Sequence, residues 1–103
     1  QVYAGRGLNL AERDFEPTFR VPVTVRPSDC DVFEHVNASQ YLRYCEDAAT
    51  TVGAKVRGNR VLLDYADEAL AGQQLTIELA PEPDCWQARV MRDDKLLCSV
   101  VLG

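Results

Sequence analysis

Residues Ser28 to Tyr41 read SDCDVFEHVNASQY, a stretch that gathers Asp29, Asp31, Asn37 and His35, the chain's only histidine. These residue types can do acyl chemistry together. A carboxylate can attack an activated acyl carbon or take a proton from the water that attacks it, and histidine can also serve as the base. The oxyanion that develops needs hydrogen-bond donors, and the start of a helix supplies them as unpaired backbone amides carrying about half a positive charge. Asn37 is a favoured N-cap residue, so the amides at Asn37, Ala38 and Ser39 are the expected donors. Hydrolysis of an ester or thioester is the reaction class this grouping suits. The same residues also admit a structural reading: aspartates before a helix cap it or form turns, and a histidine there packs as a hydrogen-bonded ring.

The flanking segments define how these groups are held. Phe19, Val21, Val23 and Val25 alternate with Arg20, Pro22 and Thr24, which predicts a strand with one buried face. Pro22 assigns it to an edge, a bulge or an outward-facing amide. Tyr41, Cys45, Ala48 and Val52 recur at helical spacing from Ala38 to about Val52, ~22 Å at 1.5 Å per residue. Gln40, three residues after Asn37, completes a capping-box pattern, and Gly53 is the expected stop. Further strands are expected at Val61, Leu63 and Tyr65, at Leu75, Ile77 and Leu79, at Trp86, Ala88 and Val90, and from Leu96 to Leu102. Gly72, the prolines Pro81 and Pro83, and the tetrad Arg92 to Lys95 separate them. Strand, helix, then a run of strands means an α+β domain: an antiparallel sheet with one helix on its apolar face. Residues 1–17 read as an arm or linker and 18–103 as the domain. Tyr41, Tyr44, Tyr65 and Trp86 are core candidates that could also line an acyl pocket.

The run VRPSDCDVFEHVNASQYLRYCEDA resembles the signature of hotdog-fold acyl-CoA thioesterases of the 4-hydroxybenzoyl-CoA thioesterase-like group. LLDYADEALAGQQL and WQARVMRDDKLLCSVVLG resemble their later strands. The resemblance implies a curved antiparallel sheet wrapped around one central helix, assembled as a homodimer or tetramer with the acyl site between subunits. It implies Asp31 as the catalytic carboxylate, acting as nucleophile or general base. The amide near Ala38 is implied to polarise the thioester carbonyl; Asn37, from its place at the helix start, and Tyr41, as a candidate lining residue, are the other expected substrate-binding residues. His35 coincides with the histidine of the related plant acyl-carrier-protein thioesterases. Two departures stand out: Phe33 replaces the asparagine of those plant enzymes, and Glu34 replaces the family's usual glycine. An added carboxylate at Glu34 is expected to raise the pKa of Asp31.

Composition narrows the function. The 103 residues, 47% apolar, suit one domain with one core, and the net charge of −5 with scattered basic residues argues against nucleic acid as a partner. Lys55, Arg57 and Arg60 form the densest basic cluster. No apolar run approaches the ~20 residues of a membrane span, and the first residues lack a signal-peptide layout. Cys30, Cys45, Cys85 and Cys98 are too dispersed for a zinc site and suit a reducing, cytoplasmic setting. The expectation is a thioester hydrolase acting on an acyl-CoA or acyl-carrier-protein, without metal or redox cofactor. The rival expectations are a non-catalytic hotdog module that binds an acyl thioester or serves assembly, and half of a double-hotdog enzyme.

Overall fold

A computed structural model describes residues 16–32, 35–55 and 60–103. The N-terminal arm up to residue 15, the departures at Phe33 and Glu34, and Arg57 of the basic cluster lie outside the described residues. Strand β1 (Phe19–Thr24) leads through a single 3-10 turn (Pro27–Asp29) to helix α1 (Ala38–Thr51). Four strands follow: β2 (Arg60–Tyr65), β3 (Gln74–Pro81), β4 (Trp86–Arg92) and β5 (Lys95–Leu102). They form one sheet in the order β1-β3-β4-β5-β2, antiparallel throughout, curved around α1. This is the α+β arrangement that the element order predicts.

The helix begins and ends where local chemistry demands. Asn37 Oδ1 accepts from the Gln40 amide at 3.1 Å and from the Ser39 hydroxyl at 2.7 Å, the acceptor half of the expected box. At the far end Gly53 adopts φ +92°, its amide donates to Thr50 O, and the Ala54 amide reaches back to Ala49 O. That pair of bonds is a Schellman motif, which needs a left-handed residue after the cap. A Cβ built on Gly53 meets nothing within 4 Å, so Gly53→Ala carries only the backbone penalty. We expect it to lower stability by about 1 kcal/mol, read as a small fall in Tm with unchanged cooperativity.

Packing explains the strand order. Tyr41, Tyr44, Cys45, Ala48 and Ala49 form the buried stripe of α1, and it lies against Leu75, Ile77, Leu79, Ala88, Val90, Cys98 and Val100 of the sheet. The stripe runs from tyrosines near the helix start to alanines near its end. Pro22 sits on β1, an edge strand, as its missing amide requires. Edge position also limits burial: Phe19 remains 36% exposed and Val21 and Val23 are half-buried. Val25 is fully buried but lies just beyond the strand, held by its amide on Gln73 O.

Two irregularities in register change which residues meet. β2 does not keep the simple alternation expected for Val61, Leu63 and Tyr65. Leu62 pairs with Val100, but Asp64 pairs with Ser99 and Tyr65 with Cys98. The bulge inserts one residue, so Tyr65 changes sides and shares the core-facing side with Leu62. Its ring then packs edge-on against Tyr41, centroids 5.5 Å apart. On β5, Met91 pairs with Leu96 and Val90 with Cys98, which leaves Leu97 as the extra residue. The Leu97 carbonyl is thereby free to accept the amides of Ala66 and Asp67. Asp93, at the tip of the β4-β5 hairpin, takes φ 54°, a conformation aspartate tolerates better than most residues.

Candidate active site

The polar junction folds as a short tongue between two partners. Cys30 bridges to Val36 and His35 to Leu70, both antiparallel. Asp31 and His35 close the tongue twice: the Asp31 amide donates to His35 O at 3.0 Å, and the His35 amide donates to Asp31 Oδ1 at 3.2 Å. Asn37 and the first turn of α1 follow directly, so the amides of Ala38 and Ser39, which have no acceptor within the helix, emerge beside this turn.

The two aspartates of the SDCD run have different surroundings. Asp29 is 7% exposed and Asp31 is exposed. The Tyr44 hydroxyl donates to Asp29 Oδ2 at 2.7 Å, the Arg26 amide donates to the same oxygen at 3.2 Å, and the Arg26 guanidinium lies 3.3 Å from Oδ1. Burial pushes the Asp29 carboxyl upward, but those hydrogen bonds outweigh it and hold the group below the usual carboxylate range. Asp29 is therefore a structural anchor for the turn into the site. Asp31 keeps its carboxylate toward solvent at the junction.

His35 has a partner that sequence reasoning missed. Its Nδ1 meets the Glu68 carboxylate, with both side chains nearly half exposed. A carboxylate on Nδ1 requires that nitrogen to carry the proton in the neutral ring, which leaves the Nε2 lone pair available to accept one. Glu68 belongs to the segment between β2 and β3, and no spacing rule ties it to His35. Only the bridges of the tongue to residues 69 and 70 bring the two together: the Val36 amide donates to Ala69 O at 3.1 Å.

Three tyrosines brace this corner from below. Tyr41, fully buried, accepts the Ala69 amide on its hydroxyl. Tyr65 donates to Val36 O at 3.2 Å, and Tyr44 holds Asp29 as described. Burial raises the pKa of all three phenols, foremost by desolvation, so they stay protonated donors through the neutral range. Tyr41, expected on the substrate, thus lies beneath the site with its hydroxyl committed to the 66–70 segment. Trp86 is far from it, on the opposite end of β4 from Arg92, where its ring packs against Phe19 with centroids 6.0 Å apart.

An open cleft of about 680 Å³ is lined by His35, Tyr65, Asp67, Glu68, Leu70 and Arg92, with Ala66 and Gln73, and its lining does not include Asp31 or the first residues of α1. Its lining is largely polar and includes both members of the His35–Glu68 pair. Of the residues expected from sequence, the structure brings Asp31 and His35 together at the turn and places Asn37 and Ala38 immediately after them.

Comparison with known proteins agrees with this architecture. Residues 12–98 match the family model described as the acyl-ACP thioesterase C-terminal domain. A search of curated protein sequences gave no match. Among solved structures, a protein of Bartonella henselae described as a probable thioesterase superposes with TM-score 0.67 at 15% identity, covering 84% of this chain and 87% of that one. A hypothetical protein of Aquifex aeolicus gives 0.66 at 19%, covering 82% and 93%. A protein of Lactobacillus plantarum described as an oleoyl thioesterase gives 0.63 at 22%; 88% of this chain is covered but only 39% of the longer one. At these identities the structural likeness is one of fold.

Proposed function

The chain belongs to the acyl-ACP thioesterase C-terminal domain family, and from that premise we propose that it hydrolyses an acyl thioester carried by coenzyme A or acyl carrier protein. The observation that carries the reading is the closed turn that sets the Asp31 carboxylate and His35 at the start of α1, with Glu68 on His35 Nδ1. In the general-base route Asp31 removes a proton from water as its oxygen adds to the thioester carbon. In the nucleophilic route Asp31 itself adds, and water then cleaves the acyl-aspartyl anhydride. Either way the carbonyl oxygen gains charge next to the amides of Ala38 and Ser39, which stabilise it most when water is excluded. In the general-base route the proton that Asp31 takes from water goes to the departing thiolate as the C–S bond breaks; in the nucleophilic route the thiolate leaves as the anhydride forms, and His35 Nε2, with Nδ1 held by Glu68, takes the proton of the water that then cleaves it.

The proposal extends to assembly and location. Among the described residues, β2 is paired on one side only, and Tyr65 at its end lines the cleft. A second copy seated along β2 would supply the missing wall, which is the homodimer expected for the hotdog fold. Mass in solution tests it. Four cysteines held as thiols suit the reducing cytoplasm. No helix among the described residues is long and apolar enough to cross a membrane.

A panel of acyl-CoA and acyl-carrier-protein thioesters, with free thiol followed over time, tests the activity. Thiol release above the uncatalysed rate for at least one member is the expected result. Saturable binding without release across the panel would instead make the protein a non-catalytic acyl-thioester-binding module.

A further inference from the structure

Glu68 can act on His35 only if the segment from residue 66 to 70 holds its place, and that segment has no regular secondary structure of its own apart from the bridge at Leu70. Its amides at Ala66 and Asp67 rest on the Leu97 bulge, and Ala69 rests on Tyr41. Between those points one cation spans the segment. Arg92, the last residue of β4, donates from Nη1 to the Glu68 carbonyl at 3.2 Å and to Gln73 Oε1 at 3.1 Å, and from Nη2 to Asp67 Oδ2 at 3.1 Å. Gln73 Oε1 also accepts the Leu70 amide at 2.9 Å, and Lys95 reaches Asp67 at 2.9 Å.

We propose that Arg92 is a positioning residue of the site: its guanidinium ties Asp67, the Glu68 carbonyl and Gln73 to the rigid end of β4, and so presents the Glu68 carboxylate to His35 Nδ1. The inference rests on reading His35 and Glu68 as working groups of a thioesterase site. The planar fork suits this task because it fixes several acceptors in one geometry, which a lysine ammonium does not. Asp67 stays ionised through the working range, its carboxyl held at about 2 foremost by the hydrogen bond from Lys95. The network is partly exposed, so its contribution to global stability is small. Its effect is therefore local, on where Glu68 sits.

The single histidine makes the test direct. On the full chain, freed of any histidine tag, side-chain ¹H–¹⁵N spectra above the titration range of imidazole report the tautomer of His35. Wild type should show the Nδ1–H form, and Glu68→Gln should shift the population toward Nε2–H. Arg92→Ala should shift it the same way, lower kcat about tenfold or more with KM within about twofold, and recover part of kcat on addition of millimolar guanidinium. Arg92→Lys should recover less than that. A folded Arg92→Ala protein with the wild-type tautomer and kcat would overturn the proposal, as would a wild type lacking the Nδ1–H form. Should Arg92→Ala not fold, Asp67→Ala serves in its place: it should move the tautomer in the same direction, and an unchanged spectrum would overturn the assignment. The tautomer arm decides the role of Arg92 even if no thioester is cleaved, so failure of the hydrolase reading and failure of this one are separable.

Discussion

Asp31→Asn is expected to lower kcat on a cleaved thioester by at least ~10²-fold, the lower range for loss of a general base, while stability stays within about 0.5 kcal/mol of wild type. The two effects separate because the catalytic role proposed for Asp31 and its role in the turn fall on different atoms. Its Oδ1 accepts the His35 amide at 3.2 Å and so helps close the turn. An asparagine keeps a side-chain carbonyl for that amide but has no basic or nucleophilic carboxylate. Asp31→Ala removes both and should add a stability loss of about 1 kcal/mol, the net worth of an ordinary hydrogen bond. Comparing kcat and Tm for the two variants thus assigns the chemistry and the turn to different atoms of one side chain. Wild-type turnover in Asp31→Asn would leave the His35–Glu68 pair as the only acid–base unit of the site.

Two positions earlier the expected pattern is the reverse. Asp29→Ala should cost about 2–3 kcal/mol, roughly 10 °C in Tm for a chain of this size, whether or not a substrate is present. The loss comes mainly from the Tyr44 hydroxyl, 2.7 Å away and buried, which would be left without its acceptor. Arg26 contributes less, since its side chain is 72% exposed and its charge is screened. Removing the hydroxyl as well, in Asp29→Ala with Tyr44→Phe, should cost less than the sum of the single changes by about 1 kcal/mol. The pH dependence has a definite sign. The folded carboxyl lies below its unfolded value of about 4, so its stabilisation is fully present above that pH and is lost as pH falls through the folded pKa. Denaturation curves of wild type and Asp29→Asn should therefore be well separated near neutrality and draw together in acid. Constant separation at all pH values would show that the charge on Asp29 contributes nothing to stability.

These two aspartates mark how far local pattern can reach. The SDCD run offers both carboxylates to the same chemistry, and the family resemblance is what selects Asp31. What separates them physically is the 3-10 turn at Pro27–Asp29, which turns one carboxylate inward under Tyr44 and lets the other face solvent. Tyr41 illustrates the same limit. Its place on the apolar stripe of α1 is plain from helical spacing, but the acceptor role of its hydroxyl depends on Ala69, far along the chain.

Capping at Asn37, the stop at Gly53, the periods of α1 and of most strands and the α+β order are all written in residues a few positions apart. Such features obey one-turn and one-step rules, so the amino-acid order alone determined them. The pairing of His35 with Glu68, the inward turn of Tyr65 and the latch of Arg92 on residues 66–70 were decided by the tertiary structure. Each depends on the bulges at Leu63 and Leu97 or on the bridges at Val36 and Leu70. A one-residue insertion in a ladder reverses which face every later side chain meets, and nothing in the hydrophobic pattern marks where that insertion falls.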